Sequence, residues 1–93
     1  MVIGLLLLEV HLPHASSLKD KRAVMTGFKE RIRHRFNVSL AEVSHHDKWQ
    51  LATLAIITVN NEQNIVDQTL EKIIKEAETR LDGQIIRSEI LHL

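Results

Sequence analysis

Apolar residues along this chain recur with two different periods, and the switches between them lay out six elements. From Val2 to Leu12 nearly every position is apolar until Glu9 and His11 intervene. That is the pattern of a strand covered on both faces. Pro13 ends it, because it cannot donate to a ladder. Ser17-Leu-Lys-Asp20 then has the form of a capping box, in which the Ser17 hydroxyl accepts from the Asp20 amide and the Asp20 carboxylate reaches back. The spacing predicts a helix from there to about Arg35, with Leu18, Val24, Met25, Phe28 and Ile32 on one side at about 100° per residue.

Phe36 to Ser44 alternates, placing Phe36, Val38 and Leu40 on one face of a second strand. His45-His46-Asp47-Lys48 is a polar turn, and Gln50 to Asn60 is a third strand rich in β-branched residues. Asn60-Asn61 interrupts the pattern. A helical period resumes over 63–81 through Val66, Leu70, Ile73, Ala77 and Leu81, and Asp82-Gly83 stops it. Ile85 to Leu93 reads as a final strand. No linker, repeat or low-complexity tract divides the chain, so residues 1–93 are expected to form one domain.

The order β-α-β-β-α-β is that of the ferredoxin-like sandwich: a four-stranded antiparallel sheet, strands ordered 4-1-3-2, with both helices on one face. A mixed α/β layer with another strand order is the competing arrangement. One consequence concerns the uncovered face. If Leu6, Leu8 and Val10 point to the helices, then Ile3, Leu5 and Leu7 point away. The third strand adds Leu51, Ala55, Ile57 and Val59 to that side, and the fourth is expected to add Ile85 and Leu91. So apolar a face is expected to pack against a second copy, with Leu5, Leu7, Ala55 and Ile57 at the centre of a homo-oligomer interface.

Composition narrows the chemistry. With 93 residues, 44 % apolar and 26 % charged, the chain has the material for one modest core. It has no cysteine, which excludes disulfides, thiolate zinc sites and thiol nucleophiles. The apolar opening run lacks a basic leader and is broken by Glu9 and His11, unlike a signal peptide, and no stretch is long enough to span a bilayer. A cytoplasmic location away from the membrane is the expectation.

Net charge is zero, but its distribution is not even. Between Lys19 and Arg35 seven cations stand against two carboxylates. Lys19, Arg22, Thr26, Lys29 and Arg33 recur at helical spacing beside the apolar stripe, and Lys21, Arg31 and Arg35 lie on the other flank. Arg31, Arg33 and Arg35 suit the negative end of the helix dipole, and an acidic flank at Asp67, Glu71 and Glu78 offers partners across the helix pair. Lys19, Lys21 and Arg22 crowd the opposite end, where the dipole disfavours cations. With the amides behind Ser16 and Ser17 they suggest an anion site. Lys19, Lys21, Arg22, Lys29 and Arg33 are therefore the candidate contacts to an RNA phosphate backbone.

Two segments, His11-Leu-Pro-His-Ala-Ser-Ser-Leu-Lys-Asp-Lys-Arg22 and Arg35-Phe-Asn-Val-Ser-Leu-Ala-Glu-Val-Ser-His-His-Asp-Lys-Trp-Gln50, resemble the YlxP-like family of small bacterial proteins. The similarity runs along nearly the whole chain. It implies a ferredoxin-like fold, no assigned activity, and a gene found among those of translation initiation and ribosome maturation. His14 and His46 depart from that family's pattern, which often has Gly and Gln there.

Other constellations point less far. His11, His14, His45, His46 and Asp47 fall at one end of the expected sheet, and imidazole with carboxylate suits zinc or nickel. Adjacent histidines in a short turn tend to diverge, so no metal and no other cofactor is expected. Trp49 reads as a hairpin anchor with its indole N–H satisfied locally, or else as a stacking platform. An RNA recognition motif would need aromatics in mid-strand, where this chain carries Leu and Ile. Glu9 and Glu42 make a carboxylate pair only if both face one cleft. With no phosphate-cradling glycine loop either, the expected function is a non-enzymatic accessory factor binding RNA or the ribosome through its basic helix. The alternative is a self-associating interaction module that uses the open sheet face.

Overall fold

The computed structural model describes Met1–Leu93 throughout. Its elements are β1 (Val2–His11), α1 (Leu18–Arg35), β2 (Ser39–Ser44), β3 (Leu51–Asn60), α2 (Gln63–Arg80) and β4 (Gln84–His92). β1 pairs antiparallel with both β3 and β4, and β2 pairs antiparallel with β3. The resulting order, β2-β3-β1-β4, is the expected 4-1-3-2 read from the other edge. The chain is a ferredoxin-like α+β sandwich.

Alternation decides which side chains are enclosed. Leu6, Leu8 and Val10 of β1 and Ala52, Leu54 and Ile56 of β3 are fully buried. They meet Met25, Phe28 and Ile32 of α1 and Val66, Leu70, Ile73 and Ala77 of α2 in one core. The caps follow local chemistry. Ser17 Oγ accepts from Asp20 N at 3.1 Å, and Asp20 Oδ2 accepts from Ser16 N at 3.0 Å and Ser16 Oγ at 2.6 Å. At the other helix, Asn60 Oδ1 accepts from Glu62 N at 3.0 Å, an Asx turn that redirects β3 into α2.

Three boundaries depart from the simple alternation. β2 starts at Ser39, not Phe36, because Phe36 N donates to Ile32 O as the α1 cap and Val38 N donates to Phe36 O in a γ-turn. Phe36 and Val38 still pack on the core. β2 also carries a bulge: Glu42 pairs with Leu54 but Ser44 with Thr53, leaving Val43 unpaired and about half-exposed. Such a bulge twists an edge strand away from foreign pairing.

The third departure corrects an expectation. In β4, Arg87 pairs with Glu9 but Ile85 pairs with Val10, so Ile86 is the extra residue. One inserted residue reverses the facing of everything beyond it. Ile85 therefore packs on the core with Ile90, not on the open face, while Leu91, opposite Leu5, stays on the open face.

Candidate nucleic-acid interface

The five cations singled out on α1 do not form one surface. Lys21 points inward. It is 2 % exposed, and its Nζ lies 2.7 Å from Glu42 Oε2 while donating to His45 O at 2.6 Å and Lys48 O at 2.8 Å. The ammonium is buried between one carboxylate and two carbonyls of the chain itself. So enclosed, Lys21 cannot reach an outside phosphate and leaves the candidate RNA contacts. Its helical phase explains this: Lys21, Met25, Phe28 and Ile32 are the buried residues of α1, one continuous inner stripe. Glu42 meets it there because it shares the covered face of the sheet with Leu40.

Lys19, Arg22, Lys29 and Arg33 behave differently. Lys19, Arg22 and Arg33 are exposed and Lys29 is half-exposed, with Thr26 exposed between them. None takes part in an ion pair; those of the molecule involve Lys21, Arg35, Arg87 and His92. Arg33 Nη2 donates a long 3.4 Å bond to Leu40 O on β2, so this flank overlooks the β2 edge of the sheet. The acidic residues of α2 are not its partners. Asp67 Oδ1 lies 2.6 Å from His92 Nε2 on β4, and Glu71 and Glu78 stay exposed. The one ion pair between the helices is Arg35 with Glu76. The strand directions make the two helices antiparallel, and helical side chains lean toward their own N-termini, so these two lean toward each other.

The expected anion site at the start of α1 is closed by the chain itself. The Asp20 carboxylate occupies the cap, where hydrogen bonds from the Ser16 side chain and backbone hold its carboxyl below the ordinary 3.8. A group lowered in this way stabilises the fold above its ordinary value and loses that contribution only as pH falls through the depressed one. The cap is therefore intact and negatively charged across the neutral range, and it repels an incoming anion.

The histidines are dispersed. His45 sits in the left-handed region at φ 64°, and its carbonyl serves Lys21. His46 Nε2 lies 3.1 Å from Glu42 O, while His11 and His14 line separate hollows. No three His, Asp or Glu side chains gather in a metal-binding arrangement. Glu9 and Glu42 lie on opposite faces of the sheet, because Glu9 pairs with Thr53 on the open side and Glu42 with Leu54 on the covered side. They share no cleft.

A match to the family described as "Protein of unknown function (DUF503)" extends over residues 3–90. The chain belongs to the DUF503 family. A relative, described as "Uncharacterized protein YlxP" from Bacillus subtilis (strain 168), is 32 % identical over 73 residues. That alignment covers 78 % of this chain and 79 % of the relative. Among solved structures, the de novo designed protein Ferredog-Diesel superposes with a TM-score of 0.48 at 16 % identity, over 94 % of this chain and 83 % of that one.

The open face of this DUF503 domain is divided along its length. Ile3, Leu5, Leu7, Ala55, Ile57, Val59 and Leu91 cluster toward the N-terminal end of β1, where Ile57, Val59 and Leu91 remain 38, 54 and 38 % exposed. Toward the other end Glu9, Thr53, Arg87 and Glu89 line a polar hollow with Leu7, and Arg87 Nη2 lies 3.7 Å from Glu89 Oε2. No helix is long and apolar enough to cross a membrane.

Proposed function

We propose that this DUF503 domain is a non-enzymatic, cytoplasmic accessory factor that binds RNA or the ribosome through the exposed flank of α1. The observation carrying this reading is the row Lys19, Arg22, Lys29 and Arg33. These four cations lie on one helix flank, none is held in an ion pair, and the row borders a sheet edge rather than the acidic second helix. Each cation that neutralises a phosphate releases counterions, so affinity falls with salt at a log–log slope near −0.7 per contact on single strands. Three or four contacts correspond to a slope of roughly −2 to −3. The Arg22→Glu, Lys29→Glu double variant is expected to weaken binding to all sequences alike and to flatten that slope, measured by polarisation of labelled RNA. Its melting temperature should hardly change, since neither side chain is paired. Unchanged RNA affinity with a lowered melting temperature would make the stripe structural and remove this reading.

A second reading has its own observation, the exposed aliphatics Ile57, Val59 and Leu91 beside half-buried Leu5, Leu7 and Ala55. We propose that this face joins a second copy in a two-fold interface, the same patch on each subunit. Sedimentation equilibrium at micromolar concentration should then show a species of at least twice 10.7 kDa. Ile57→Lys should return it to the monomer, and a parent chain that sediments only as a monomer rules this interface out.

A further inference from the structure

The hairpin joining β2 to β3 is fixed from several sides, yet it leaves the largest side chain of the molecule half in solvent. Lys48 O accepts from Lys21 Nζ, and Lys48 N donates to His45 O at 3.1 Å. On the other side of Trp49, Gln50 Nε2 donates to Ala15 O at 3.2 Å and Pro13 O at 3.4 Å, and Leu12 N donates to Gln50 O at 2.9 Å. The backbone flanking Trp49 is thus tied to α1 on one side and to the β1–α1 connection on the other. The ring is 48 % exposed, and no side-chain hydrogen bond of the hairpin uses its indole N–H. It does not anchor the hairpin; the hairpin presents it.

Around the ring lies an open hollow of about 520 Å³ lined by His11, Asp47, Lys48, Gln50 and Leu51. The groups around it suit a flat, polar-edged ring beside a phosphate: an indole face for stacking, a lysine ammonium, a carboxylate and an imidazole. The hollow opens at the end of the sheet where α1 begins, on the side of His11 and Leu51, and the hairpin that forms it is bonded to Lys21 in the first turn of α1. We propose that Trp49 is a stacking platform for one unpaired nucleobase of a single-stranded RNA segment whose phosphates run along the α1 flank. This inference rests on reading that flank as an RNA surface. The backbone on both sides of the ring is already held, so little main-chain freedom is lost when a base stacks on it.

The chain has one tryptophan and no tyrosine, so its indole fluorescence reports this site alone. Titration with short oligoadenylate or oligouridylate at low salt should quench that fluorescence saturably. An abasic oligomer of the same charge should not. Trp49→Ala should bind labelled oligoadenylate about tenfold more weakly, within the range measured for loss of one stacked base, with the salt slope unchanged. Trp49→Phe should retain most of the affinity, and both variants should melt close to the parent. If Trp49→Ala binds as tightly as the parent and the parent shows no quenching, the platform is wrong while the α1 surface stands. Equal quenching by the abasic oligomer also overturns it. A parent chain that binds no labelled RNA even at low salt removes both the platform and the reading it rests on.

Discussion

Replacing Lys21 by Met is expected to cost at least about 3 kcal/mol of folding stability, the low end for removing one partner of a buried ion pair. In a domain of this size the melting temperature should fall by more than about 10 °C. The methionine retains the packing volume of the lysine stem but leaves the Glu42 carboxylate, 16 % exposed, without its cation. Two hairpin carbonyls, His45 O and Lys48 O, lose their donor at the same time. Those carbonyls are neutral and the carboxylate is charged, so the stranded carboxylate is the larger loss. Adding Glu42→Leu should therefore recover most of the stability, because an apolar pair of similar volume avoids the desolvation that an ion pair must offset. Urea unfolding of the four members of this cycle gives the coupling directly. A Lys21→Met chain within 1 kcal/mol of the parent would show that the ammonium faces solvent, and Lys21 would return to the RNA-contact surface.

Gly4→Ala is expected to cost about 1–3 kcal/mol, the range for overpacking a well-filled core. Gly4 is buried on the covered face of β1, where α2 crosses the sheet. A methyl placed there would overlap Val66 Cγ1 and lie 3.0 Å from Leu70 Cδ1. Val66 cannot swing aside cheaply, because a β-branched side chain in a helix has one strongly preferred rotamer. Relief must come from moving α2 itself, which also disturbs Ile73 and Ala77 further along the same stripe. The gain from a less flexible unfolded chain, about 0.4–1 kcal/mol, offsets only part of this. Combining Gly4→Ala with Val66→Ala should cost clearly less than the two single changes summed, since the new methyl enters the space vacated by the old ones. Strict additivity in chemical denaturation would mean that α2 does not approach β1 at Gly4.

The order and kind of the six elements were legible in the chain, because periods of 2 and 3.6 are properties of neighbouring residues, although β2 begins at Ser39 rather than Phe36. Leu6, Leu8 and Val10, or Met25, Phe28 and Ile32, identify a covered face without knowledge of what covers it. The Ser17–Asp20 cap and the Asn60 turn were equally legible, since their partners lie within four residues. The tertiary structure alone decided what depends on partners distant in the chain. The phase of Lys21, shared with Met25, Phe28 and Ile32, already puts it on the inner stripe of its helix; what the sequence does not show is that Glu42 and the 45–48 turn meet it there as a buried clamp. The extra residue at Ile86 leaves no composition signal, yet it turns Ile85 from the open face to the core. Trp49 carries the same ambiguity in sequence, because anchoring and presenting a ring require identical residues. What separates them is whether a neighbour is present to cover the ring, and the fold puts the ties on Lys48 and Gln50 instead.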